Sequence, residues 1–112
     1  MSLDVYLIDR SVPVGEGIEV YSASITHNLN KMATAAGIYD EVWRPDEHEI
    51  TRAAQLIEPL TKGLTWLKLA PEHFKTFDAP NGWGLHQHLV SFLERYLAAC
   101  KENPTAEVGV SR

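Results

Sequence analysis

The chain has 112 residues, 45% hydrophobic and 22% charged, the size and balance of one globular domain spanning 1–112, and this excludes a disordered chain. The formal charge is −5, from 15 acidic against 10 basic residues; no lysine or arginine cluster exists, so nucleic-acid binding lacks its electrostatic basis. Cys100 is the single cysteine, which excludes an intramolecular disulfide and a cysteine-based zinc site. No apolar run approaches the ~20 residues of a membrane span, and the first residues lack the basic start of a signal peptide, so a cytoplasmic protein is expected.

Residues 3–8 are short, rich in strand formers and partly alternating, which predicts a first strand. Pro13, Gly15 and Gly17 give the following loop its turn chemistry. A second strand is predicted over 18–23, pairing with the first as a hairpin. Thr26 is suited to cap a first helix running to about Ala36, with Leu29, Met32, Ala33 and Ala36 as its buried stripe. Gly37 supplies the left-handed residue that stops it, and Ile38 follows where a capping hydrophobic contact is expected. Residues 39–43 predict one helical turn, which ends at Arg44 because Pro45 pushes the preceding backbone toward extended geometry.

A second helical region is predicted over 47–69, where Ile50, Ala53, Ile57, Leu60, Leu64 and Leu67 step by three and four. Pro59 inside it predicts a kink or two abutting helices. Pro71 opens a short helix carrying Phe74 and Phe77. After the Asn81-Gly82 turn, the apolar rhythm from Leu85 to Cys100 marks an amphipathic last helix, stopped by Asn103-Pro104. Ala106, Val108 and Val110 alternate with polar residues or glycine, which predicts a final strand over 106–110 returning beside the first. Separated runs of strands and helices predict an α+β fold: a small three-stranded, mostly antiparallel sheet with three or four helices packed on one face. The absence of βαβα alternation argues against a doubly wound nucleotide-binding fold.

Two places put polar or aromatic residues at helix starts: Thr26-His27-Asn28 and Asn81-Gly82-Trp83-Gly84. Free N–H groups there can hold an anion or a carbonyl. His27 in a first turn favours the neutral, hydrogen-bonding imidazole, and Asn28 both donates and accepts. Trp83 between two glycines offers a flat indole face and one N–H. Against this stands the plainer alternative that His27 and Asn28 satisfy local backbone groups and that Trp83 covers the core at a helix end. His27, Asn28 and Trp83 are expected to share one concave surface, with Tyr39 and Arg44 at its rim. On that expectation His27→Ala and Trp83→Ala abolish binding with little loss of stability.

Other templates fail. His86 and His88 point about 200° apart on a helix and cannot share an ion. Glu47-His48-Glu49 lacks the second histidine of a zinc-protease motif, and His73 stands alone, so no metal site is expected. Gly15-Glu16-Gly17 is not a phosphate loop, and no serine lies in a nucleophile elbow. No cofactor is implied. Trp43-Arg44-Pro45 reads as a stacked cation–indole pair at a partner-facing corner or as a packed corner, the latter favoured.

Ser22-Ala23-Ser24-Ile25-Thr26-His27-Asn28-Leu29, Ala36-Gly37-Ile38-Tyr39, Trp43-Arg44-Pro45 and Asn81-Gly82-Trp83-Gly84 together resemble a family of small uncharacterised proteins from bacterial and phage genomes. The similarity extends to residues 94–104, although the family usually has asparagine where this chain has Ser24. The resemblance implies no catalytic assignment. A phage setting raises the expectation of a protein that binds and blocks a host factor. The reading that follows is a small binding protein engaging a host protein or a small-molecule ligand, with oligomeric state open. The alternative is a small enzyme using His27 as general acid or base, Asn28 orienting the substrate and Trp83 covering it.

Overall fold

The structure, a computed structural model, describes residues 2–11, 17–82 and 84–112. In chain order the elements are β1 (Ser2–Asp9), β2 (Ile18–Thr26), a 3-10 turn (His27–Leu29), α1 (Asn30–Ala35) and α2 (Tyr39–Trp43). A second 3-10 turn (Pro45–His48) follows, then α3 (Ala54–Leu69), α4 (Pro71–Lys75), α5 (His86–Glu102) and β3 (Glu107–Ser111).

The three strands form one antiparallel sheet in the order β2-β1-β3, so the last strand returns beside the first. Leu3 pairs with Ile25, Val5 with Ala23 and Val110, and Leu7 with Tyr21 and Val108. Side chains opposite one another share a face, and the two-residue period therefore gathers these apolar residues on one side. There they meet Leu89, Phe92, Leu93, Tyr96, Leu97 and Cys100 of α5, all buried. Tyr96 stacks on Tyr21 with ring centroids 5.9 Å apart. The fold is α+β with a three-stranded antiparallel sheet, and the described residues hold five α-helices where three or four were expected, because the single turn expected at 39–43 is a helix of its own.

β2 runs three residues beyond its expected end, as Ser24, Ile25 and Thr26 pair with Asp4, Leu3 and Ser2. Pairing also slips near its start: Leu7 opposes Tyr21 but Ile8 opposes Glu19, leaving Val20 as a bulge. The first helix is shorter than expected. Thr26 Oγ1 does accept from Asn28 N at 3.2 Å, yet three residues of 3-10 turn precede a six-residue α1. Gly37 at φ 77° ends this segment and delivers Ile38 into the core.

α3 begins at Ala54 rather than near Glu47. Glu49 takes a left-handed φ of 58°, and the chain at 51–53 is drawn into contact with the last strand instead of coiling. Val108 N donates to Thr51 O and Ala53 N to Ala106 O, both at 2.9 Å. Gln55 fixes this loop, its Oε1 accepting from Thr51 N at 2.8 Å and Arg52 N at 2.9 Å. Ile50 consequently leaves the helical stripe, and Leu56, Leu60, Gly63, Leu64 and Leu67 form the buried face. Pro59 lies inside α3 without dividing it; near a helix start it removes a single bond, the one to Gln55 O. No helix of the described residues is long and apolar enough to cross a membrane.

Candidate functional site

The region around His27, Tyr39 and Arg44 is organised by Trp43, the residue expected at a packed corner. Trp43 is buried at the end of α2. Its Nε1 donates to His27 Nδ1 at 3.0 Å, and its ring stacks on Tyr39 at 5.6 Å and 14° between planes. Tyr39 hydroxyl in turn accepts from Arg44 Nε at 3.2 Å, and Arg44 pairs with Glu47 at 2.6 Å. Those two bonds, Tyr39 first, push the Arg44 guanidinium further toward the charged form. From the far end of the chain Arg112 donates to Trp43 O at 3.0 Å and to Asp46 at 2.7 Å. Its guanidinium holds the Asp46 carboxyl below the usual carboxylate range.

His27, Tyr39 and Arg44 are thus brought together, but their polar atoms face each other and Trp43. Because Nδ1 accepts the indole proton, a neutral His27 ring carries its own proton on Nε2. Asn28 is exposed. A Cβ added at Gly84, whose φ is 128°, would stand 3.0 Å from Asn28 Cβ, so the backbone of the downstream turn abuts the start of the first helix and only glycine fits there. Trp83 lies outside the described residues, and with it the expectation that it shares one surface with His27 and Asn28; its neighbour Gly84 does lie against Asn28. Among the described residues no group of three or more histidine, cysteine or acidic side chains is placed to hold a metal ion. Cys100 is buried and its thiol is pushed up to about 12 by desolvation, far from a nucleophile's range.

A second region was not singled out from the sequence. Trp66 is 61% exposed and Leu69 74% exposed on the outer side of α3. They are three apart and share a face, on which Lys62 and Glu58 precede them as an ion pair at 3.1 Å. Trp66 stands as a ridge between two open clefts. One, of about 520 Å³, is lined by Ala35, Ala36, Gly37, Ala70, His73 and Phe74; the other, of similar size, runs along Glu41, Gln55, Glu58 and Lys62. The signal was present: Trp66 falls off the three-four stripe of its helix, and a tryptophan there must face water unless something else covers it.

Comparison with protein-family models, with curated proteins and with solved structures finds no match.

Proposed function

We propose that this chain is a small cytoplasmic binding protein, phage- or prophage-encoded, that engages a host protein through the ridge of Trp66 and Leu69. The phage setting rests on the motif resemblance alone. The observation that carries the binding reading is the pair of large apolar side chains held in water on a rigid 16-residue helix. Tryptophan in such a position is the residue type most enriched at interface hot spots, where its desolvation supplies a large part of the affinity. The clefts on either side leave room for a partner to wrap the indole, which calls for an apolar slot on that partner. A small ligand is a poorer fit, because these clefts are open and His27 Nδ1, the Tyr39 hydroxyl and Arg44 Nε are already engaged. The enzymatic alternative is disfavoured by the same geometry: His27 Nδ1 is committed to Trp43, and the proton on Nε2 leaves no lone pair there for a general base.

The test uses wild type and the Trp66→Ala, Leu69→Ala double variant as baits in extract of the native host, with bound proteins quantified. A stoichiometric partner retained by wild type and weakened by ~30-fold or more in the variant supports the reading, provided both unfold at the same denaturant midpoint. Equal capture by the two baits, or no stoichiometric protein on wild type, overturns it.

A further inference from the structure

The two outer edges of the sheet are treated differently. Beside β3, Arg52 bridges Glu107 in antiparallel fashion and Val108 N donates to Thr51 O, so that edge is partly closed by the chain before α3. Beside β2 no described strand pairs. The bulge at Val20 breaks the row at one end, but from Tyr21 to Thr26 the register against β1 is continuous. This six-residue run contains no proline, lysine or other charged residue, the devices by which exposed edges are ordinarily blunted. Alternate residues of it direct N–H and C=O groups outward, ready to pair with an added strand.

A groove of about 280 Å³ lies at the Ser24–Thr26 end of this run, between β2 and α5, lined by Ser24, Ile25, Thr26, His88, Ser91 and Arg95 among others. Arg95 is exposed, and its Nε donates to Ser91 O at 3.4 Å. Among the described residues no acidic side chain lies within ion-pair distance of it, and the adjacent Glu94 is taken by Lys68 at 3.1 Å. An arginine without an acidic partner, in a chain of net charge −5, favours an acidic visitor at this place.

We propose that the outer edge of β2 from Tyr21 to Thr26 accepts an extended acidic peptide segment of another protein as a fourth strand, with a carboxylate of that segment meeting Arg95. Backbone pairing supplies the docking, and the guanidinium sets which sequence docks. A second copy of this chain is the poorer occupant. Two-fold pairing centred on this run would bring Arg95 of each copy toward the axis, like charge against like charge. The surface uses different elements from Trp66 and stands whether or not that ridge binds.

The probe is a displayed library of random eight-residue peptides selected against the full chain. Enriched sequences should carry aspartate or glutamate at one fixed position among alternating β-branched or aromatic residues. Synthesised, they should shift the amide resonances of 21–26. N-methylation of alternate peptide residues should weaken binding at least ten-fold in one phase and little in the other, because only every second amide faces the edge. Arg95→Glu, at an exposed position, should keep the fold, lose at least ten-fold for the acidic peptides, and select lysine or arginine instead when rescreened. No enrichment, enrichment without an acid, shifts centred away from 21–26, or dimerisation of the chain through β2 in sedimentation would each overturn the proposal.

Discussion

Gly63→Ala should destabilise the protein although alanine is the better helix former. Gly63 sits in the interior of α3, on its buried face, with no positive φ. A Cβ there would collide with Ile38 Cγ2 and stand 3.4 Å from Ile38 Cβ and Cγ1. Ile38 is 1% exposed, and its β-branched side chain has little freedom to turn away. The helix term favours alanine by about 0.8–1 kcal/mol, whereas overpacking a filled core costs about 1–3 kcal/mol. The expected net loss is about 0–2 kcal/mol, centred near 1 kcal/mol or roughly 4 °C in Tm for a chain of this size. Urea denaturation of Gly63→Ala, Ile38→Ala and the double variant closes a cycle. Trimming Ile38 removes the collision, so the double variant should be more stable than the sum of the singles by about 1 kcal/mol or more. A neutral or stabilising Gly63→Ala with an additive cycle would refute the close approach of α3 to Ile38.

Leu93→Ala, on the buried face of α5, should cost about 2–5 kcal/mol in chemical denaturation; a loss under ~1 kcal/mol would place that helix face wrongly. His27→Ala should cost about 1–3 kcal/mol, because it strands the Trp43 N–H in a largely buried position; an unchanged unfolding midpoint would mean that water replaces the imidazole freely. Arg112 holds the folded-state pKa of Asp46 below its ordinary 3.8, so this contribution is present above about pH 4 and fades as pH falls through the depressed value. The acid limb of the stability curve should therefore be shallower in Arg112→Ala than in wild type, and identical limbs would show that the ion pair adds nothing in solution.

Elements whose cause is local were legible in the sequence. The alternation of β1, the stop at Gly37, the start at Pro71 and the long apolar rhythm of α5 each follow from residues within one or two turns, and the structure keeps them. The α+β class followed from their order. The start of α3 was not legible, because Thr51 and Ala53 are held by Val108 and Ala106 across the sheet edge, and no local pattern announces a partner more than fifty positions away. The foreseen site divides in the same way. His27, Tyr39 and Arg44 carry the right chemistry, and that much is written in their side chains. That they spend it on Trp43 and on one another, while Trp66 is left in water, was decided by packing: hydrogen-bonding groups brought together away from solvent must satisfy each other, and a helix presents to solvent whatever its neighbours do not cover.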